Sequence, residues 1–167
     1  MDVNKINKLS AIQLVSESSA EKNLISIKKQ LYILSPQKYQ LVLLPENALS
    51  FSNKARYLNL AEQLGEGVYQ TKLANLAKQY CCYLICGSFP IKSSVENKIY
   101  TTSLVFSPTG ELIRHYHKMH LFDALVADQQ AVYRESDTFI AGNELQLFDW
   151  KTAQGNFKVG LTICYDL

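Results

Sequence analysis

The sequence predicts an α/β protein in which helices cover one face of a β-sheet. Two segments repeat apolar residues at helical spacing, short continuous apolar runs lie around them, and a strong turn sequence joins two later strands. The order strand, helix, strand, helix, strand and then further strands is typical of this class. The chain has 167 residues, 47% of them apolar and 19% charged, which predicts a single domain over 1–167.

The first half of the chain alternates strands and helices. We predict a strand over 9–15 and a helix that opens at the capping box 18–21. The apolar residues of this helix recur at Leu24, Ile27, Leu31 and Leu34. The apolar run 40–44 ends at a proline and is typical of a strand buried on both faces. A second helix is predicted over 68–80 and another buried strand over 82–89.

The second half is predicted to be mostly strand. Segments 98–106 and 111–117 flank Ser107-Pro108-Thr109-Gly110, in which proline holds the second turn position, so we predict an antiparallel hairpin. A further strand is predicted over 144–150. The segment 157–164 is the clearest strand, because its apolar residues alternate with small and polar ones.

Composition and charge argue against several classes of function. The net charge is only +2, whereas a nucleic-acid partner requires a concentrated basic face. Residues 1–10 are polar, the apolar stretch 11–15 is too short for a signal peptide, and no segment is long enough to span a bilayer. We therefore expect a soluble cytoplasmic protein with four reduced cysteines and neither nucleic-acid nor membrane partners.

Three polar residues fall where functional groups of α/β proteins collect, just past the ends of strands. They are Glu46, Lys118 and Cys164. Each has a plainer explanation alone, as a solvated carboxylate, a surface charge or a buried inert thiol. Together they supply a base for a thiol nucleophile and a cation for an oxyanion, and the backbone N–H of Tyr165 could be a second oxyanion donor.

These residues lie in three segments that resemble the motifs of the nitrilase superfamily of carbon–nitrogen hydrolases. The segments are LVLLPEN at 41–47, YHKMHLFD at 116–123 and GLTICYDL at 160–167. The resemblance implies that Glu46, Lys118 and Cys164 are a catalytic triad. The segment YRESDTF at 133–139 looks like the one that carries the family's second glutamate, which implies a role for Glu135 in orienting Lys118 or the substrate.

The resemblance also implies a fold and a reaction. The fold is an α-β-β-α sandwich, here an incomplete one. The reaction is hydrolysis of a small carboxamide to an acid and ammonia through a cysteine thioester, without a metal or organic cofactor. Within the superfamily, the segments HLFD and YRESDTF look most similar to the branch of ω-amidases and deaminated-glutathione amidases.

The family's chains run on well beyond the nucleophile motif, whereas this sequence ends at Leu167. We therefore expect a domain that lacks its C-terminal part, with little or no activity as 167 residues. With that part present, the resemblance implies a homo-oligomer.

Other functions remain open at this stage. His115 and His117 would point the same way on a strand, so a metal-dependent hydrolase using the 115–120 histidines is one alternative. Cys164 paired with a histidine base is another, and an inactive fragment that serves as a binding partner is a third. A redox site at Cys81, Cys82 and Cys86 is the weakest, because adjacent cysteines rarely meet disulfide geometry.

Overall fold

The computed structural model describes residues 7–125 and 132–167. Part of the polar amino terminus (1–6) and part of the loop before Glu135 (126–131) therefore lie outside the described residues. Within the described ranges the α-helices are α1 (Ala20–Leu34), α2 (Lys54–Leu60) and α3 (Val68–Gln79). The strands are β1 (Leu9–Ala11), β2 (Leu41–Leu43), β3 (Tyr83–Lys92), β4 (Ile99–Phe106), β5 (Leu112–His117), β6 (Asp123–Leu125), β7 (Val132–Arg134), β8 (Leu147–Thr152) and β9 (Gly155–Gly160).

The main sheet has five strands in the order β1-β2-β3-β4-β5. The first three are parallel to one another, and β3, β4 and β5 pair antiparallel. The predicted hairpin is confirmed, since Ser107 N donates to Glu111 O and Gly110 N donates to Ser107 O, both at 2.8 Å. The β3–β4 register shifts between Cys86 and Phe89, a β-bulge that lies beside the end of β2.

The two faces of this sheet are covered by different layers. On one face, α1 and α3 bury residues such as Ile27 and Leu73 against alternate strand residues, among them Leu84. On the other face, the β8–β9 hairpin buries Phe148 and Trp150 against the intervening strand residues. The layer order is therefore helix, sheet, sheet, which agrees with an α-β-β-α type of fold and confirms the α/β prediction.

The prediction of a strand over 157–164 is wrong at its carboxyl end. Strand β9 ends at Gly160, and a 3-10 turn follows over Cys164–Asp166. Leu161 and Ile163 remain buried, as the alternation indicated. The turn begins at Cys164 because its backbone has φ of 49° and the Ile163 N–H bonds to the Asp166 side chain instead of to a strand.

Several smaller differences have local causes. Helix α2 was not predicted because seven residues are too few to show a helical period; its Asn53 cap accepts from Arg56 N at 3.1 Å. Helix α1 begins at Ala20, one residue later than the capping box indicated, and Ser19 is its N-cap. Strands β1 and β2 are shorter than predicted, and the short pair β6–β7 was missed.

Asn23 joins α1 to two loops and carries a stability prediction. Its buried amide donates to Glu17 O at 2.7 Å and Leu49 O at 2.8 Å, and accepts from Glu17 N at 3.0 Å. We expect Asn23→Ala to lower the free energy of unfolding by about 2 kcal/mol, since the buried Leu49 carbonyl and the Glu17 backbone lose their hydrogen bonds. Urea unfolding would measure this against Asn75→Ala, an exposed α3 position expected to change by less than about 0.5 kcal/mol. Equal unfolding midpoints for the two variants would contradict the prediction.

Candidate active site

Glu46 lies just past β2, on a turn fixed by the bulge in β3. The chain leaves the sheet after Leu44, whose N–H still bonds to Ile85 O at 2.9 Å. Asn47, with φ of 54°, donates its N–H to the Ser88 hydroxyl at 2.7 Å. Gly87 lies so close to this turn that a Cβ there would be 2.4 Å from Leu44 O. The bulge therefore sets the position of Glu46.

Lys118 follows β5 directly and is fully buried. Its backbone is held on both sides, because its N–H donates to Thr101 O at 3.0 Å and its carbonyl accepts from Gly142 N at 2.8 Å. Its Nζ lies 2.8 and 3.1 Å from the two oxygens of Glu135 and 3.6 Å from Oε1 of Glu46. Burial opposes the charged amine, but the bonded and nearby carboxylates outweigh it and raise the pKa of Lys118.

Glu135 opens the 3-10 turn Glu135–Asp137 and faces Lys118. Its Oε2 also accepts from Phe122 N at 2.8 Å. Two lysines donate to carbonyl oxygens of this turn, Lys54 to Asp137 O at 2.6 Å and Lys98 to Ser136 O. The carboxylate is thus fixed by elements far apart in the sequence.

Cys164 is the first residue of the last turn. It is exposed, and its backbone has a left-handed conformation. Burial of the thiol and the nearby Glu46 charge raise the pKa of Cys164, a hydrogen bond with Glu46 adds to the rise, and the Lys118 charge opposes it. The sulfur is therefore a neutral thiol at neutral pH, next to a carboxylate that can accept its proton. The structure thus brings Glu46, Lys118, Glu135 and Cys164 together.

Tyr165 follows Cys164 in the same turn. None of the hydrogen bonds found among the described residues uses its backbone N–H, so this donor is available beside the sulfur. Its ring is exposed and contacts Phe122 edge to face at a centroid distance of 5.4 Å. The aromatic pair lies between the Cys164 turn and the segment that bonds to Glu135.

The histidines are placed differently from a metal site. His115 and His117 do point the same way, with ring centroids 5.2 Å apart, but His117 stacks on Tyr100 and bonds to the Thr102 hydroxyl at 2.8 Å. Burial, with a smaller effect of His115, lowers the pKa of His117 to about 4. Across residues 7–125 and 132–167, no group of three or more His, Cys, Asp or Glu side chains is placed to hold a metal ion.

Two of the other cysteines are part of the hydrophobic core. Cys82 and Cys86 are buried, and burial raises the pKa of each thiol to about 12. All four cysteines are free thiols. Such a raised pKa is typical of inert core cysteines.

Sequence reasoning missed several residues that build the site. Gly87 and Ser88 lie in an apolar run and were not singled out as site residues. The one signal available was the glycine itself, because a glycine inside a strand pattern indicates a bulge or a close approach of another backbone. Lys54 and Lys98 read as ordinary surface charges. Their role depends on a turn 83 and 38 residues away in the chain, respectively, which no local pattern reveals.

The protein is of the α/β class, and comparisons with known proteins give its family. Residues 8–167 match the carbon-nitrogen hydrolase model. The chain is 40% identical over 157 residues to a deaminated glutathione amidase of Yersinia enterocolitica, covering 93% of this chain and 53% of that protein. It is 35% identical over 160 residues to the omega-amidase NIT2 of Bos taurus, covering 96% and 55%.

Solved structures of related proteins have a similar fold. The structure of Saccharomyces cerevisiae Nit3, a member of branch 10 of the nitrilase superfamily, matches with a TM-score of 0.73 and 27% identity, over 96% of this chain and 56% of that one. The C. elegans NitFhit protein matches with a TM-score of 0.79 and 26% identity, over 96% and 39%. The chain belongs to the carbon–nitrogen hydrolase family, within the nitrilase superfamily.

The chain spans about half the length of the curated relatives that it matches. Among the helices of the described residues, none has the length and apolar character needed to cross a membrane.

Proposed function

We propose that this protein hydrolyses the carbon–nitrogen bond of a small carboxamide, with Cys164 as nucleophile. The observation that carries the proposal is the convergence of four side chains from distant segments. Lys118 Nζ lies between the carboxylates of Glu46 and Glu135, and the Cys164 thiol is close enough to Glu46 and Lys118 for both charges to act on its pKa. A base, a cation and a nucleophile in this arrangement suit acyl transfer.

In the first half-reaction, Glu46 takes the thiol proton as the sulfur of Cys164 forms a bond to the amide carbonyl carbon. The raised pKa of the Cys164 thiol makes this assistance necessary, because little thiolate exists at neutral pH. The oxyanion is stabilised by the Lys118 ammonium and the Tyr165 backbone N–H. Collapse breaks the carbon–nitrogen bond, Glu46 returns the proton to the leaving nitrogen, and ammonia leaves a thioester on Cys164.

In the second half-reaction, Glu46 takes a proton from water, which adds to the thioester carbonyl. The same oxyanion donors stabilise the second tetrahedral intermediate. Its collapse breaks the carbon–sulfur bond, the sulfur regains the proton from Glu46, and the carboxylic acid is released. These steps use no metal or organic cofactor.

Glu135 is assigned the role of orienting Lys118. Its two oxygens lie 3.1 and 2.8 Å from Nζ, closer than Glu46 at 3.6 Å. Glu135 therefore holds the Lys118 ammonium more closely than Glu46 does. The buried amine then faces the position of the oxyanion without needing to reorganise.

The names of the relatives suggest the substrate class. Deaminated glutathione amidase and omega-amidase both denote enzymes that act on amides, so we propose a small amide of this kind as the substrate. A homo-oligomeric state and a cytoplasmic location stay predictions, as does a single domain over 1–167. Size measurement, cell fractionation and limited proteolysis would test them in turn.

The test is ammonia release from small amides by the purified chain, with Cys164→Ala as control. A rate clearly above that of the Cys164→Ala variant supports the proposed function, and it contradicts the expectation that 167 residues alone are inactive. If the two chains release ammonia equally slowly, the proposal is wrong for this chain, and an inactive fragment that binds a partner takes its place. Loss of activity on dialysis against a chelator would instead indicate a metal-dependent hydrolase.

Glu46→Gln tests the base. We expect hydrolysis to fall by about 10²–10⁴-fold, because proton transfer in both half-reactions is lost. The matched control is Glu144→Gln, an exposed glutamate whose side chain accepts from Gln146 Nε2 at 3.2 Å, and this variant should keep the parent rate. If activity survives Glu46→Gln but disappears when one histidine is replaced, a histidine base operates in place of Glu46.

A further inference from the structure

The side chain of Asp166, two residues past Cys164, is buried and accepts hydrogen bonds on both oxygens. Only 3% of its side chain is exposed. Oδ2 accepts from the Tyr116 hydroxyl at 2.7 Å and from Ile163 N at 2.9 Å. Oδ1 accepts from the backbone N and from Nδ1 of His120, at 2.9 and 3.0 Å. This is the densest set of side-chain hydrogen bonds around the Cys164 turn, and the proposed reaction gives it no role.

The donors come from two segments that carry reacting groups. Ile163 immediately precedes Cys164. Tyr116 and His120 each lie two residues from Lys118, one on either side. A single carboxylate therefore joins the turn that carries the thiol to the segment that carries the ammonium. The Tyr116 hydroxyl strengthens the link, because it also accepts from Met119 N at 3.2 Å.

The charge of Asp166 suits this bonding. Burial favours the neutral acid, but hydrogen bonds from Ile163, Tyr116 and His120 outweigh it and lower the pKa of Asp166. The group is therefore a carboxylate at neutral pH and can accept all four bonds at once.

The backbone of Cys164 needs such support. Its φ of 49° lies in the left-handed region, which a non-glycine residue keeps only where its surroundings hold it there. The bond from Ile163 N to Asp166 closes the turn across Cys164, and the bonds from Tyr116 and His120 anchor the closed turn to the sheet.

We propose that Asp166, acting with Tyr116, is a positioning residue that holds the Cys164 sulfur against Glu46 and Lys118. This inference rests on the proposed function, since it takes Cys164 as the nucleophile. Without the clamp formed by Asp166 and Tyr116, the turn is free to relax and the sulfur leaves its carboxylate and ammonium neighbours.

The test follows thiol chemistry and not amide hydrolysis. The rate of Cys164 alkylation by iodoacetamide, mapped to this residue by mass spectrometry, would be measured across pH for the parent, Asp166→Asn, Tyr116→Phe and the control Asp149→Asn. Asp149 is an exposed aspartate of β8 that pairs with Lys158 at 2.8 Å. Circular dichroism would establish that each variant is folded.

In the parent, burial and Glu46 raise the pKa of the Cys164 thiol. Release of the turn removes both influences, so the pH profile should move down towards that of a free thiol, near 8.5. We expect alkylation at about pH 8 to become several-fold faster in both clamp variants and to stay unchanged in Asp149→Asn.

Tyr116→Phe decides the outcome, because it removes one hydroxyl and no charge. A shift in Asp166→Asn alone would be a simple effect of the lost charge and would overturn the proposal. Identical pH profiles of Cys164 alkylation for the parent and Tyr116→Phe would also overturn the proposal. This comparison remains decisive if Asp166→Asn fails to fold. Absence of amidase activity in the parent would count against the proposed function only, since alkylation needs no turnover.

Discussion

Lys118→Met is expected to unfold at clearly lower denaturant and to lose amide hydrolysis. The substitution leaves Glu46 and Glu135 facing each other with no cation between them, since Nζ now lies 3.6 and 2.8 Å from their oxygens. Removing one partner of a buried ion pair costs about 3–5 kcal/mol. We expect about 3 kcal/mol, because Glu46 and Glu135 remain 33% and 25% exposed. Urea unfolding at neutral pH measures this loss.

The same variant has two further readouts. Loss of the ammonium removes an oxyanion donor, for which we expect about a 10²–10³-fold fall in hydrolysis. It also removes the charge that opposes the raised pKa of Cys164, so alkylation at about pH 8 should slow.

Lys158→Met is the matched control for this substitution. Lys158 is 73% exposed and pairs with Asp149 on the outside of the β8–β9 hairpin. A surface pair contributes about 0–1 kcal/mol, so this variant should unfold close to the parent. If the two methionine variants were equally stable, the proposed electrostatic role of Lys118 would have to be abandoned.

Gly87→Ala is expected to destabilise the protein through a single methyl group. A Cβ at Gly87 would lie 2.4 Å from Leu44 O and 2.5 Å from Pro45 O, both backbone atoms that no side-chain rotation can move. Either the β3 bulge or the turn that carries Glu46 must shift. We expect a loss of about 3 kcal/mol, at the upper end for overpacking of a close contact, measured by urea unfolding.

Gly160→Ala separates this effect from a general preference for glycine. At Gly160 the nearest atom to an added Cβ is Leu147 Cδ2 at 3.4 Å, an ordinary contact with a flexible side chain. We expect a change of less than about 0.5 kcal/mol there. Comparable losses in the two alanine variants would show that the Leu44–Pro45 contact does not control stability.

Local periodicity and turn chemistry are enough to predict several elements of the fold. The apolar spacing of α1 and α3, and the Ser107–Gly110 turn between β4 and β5, appear in the structure close to their predicted bounds. The positions of Glu46 and Lys118 directly after strands were readable for the same reason, because each follows an apolar or alternating run. Helix α2 was not predicted, because its seven residues are too few to show a helical period.

The assembly of the site depends on contacts between segments that are distant in the sequence. Apolar residues alternate through the segment 157–164 as in one strand, yet β9 ends at Gly160. The chain turns there because Asp166 accepts hydrogen bonds from the Ile163 N–H and the Tyr116 hydroxyl. The bonds from Lys54 and Lys98 to carbonyl oxygens of the Glu135 turn likewise join residues far apart in the chain. Periodicity reports on neighbours within a few residues, whereas these hydrogen bonds and charges act only after the sheet has brought distant segments together.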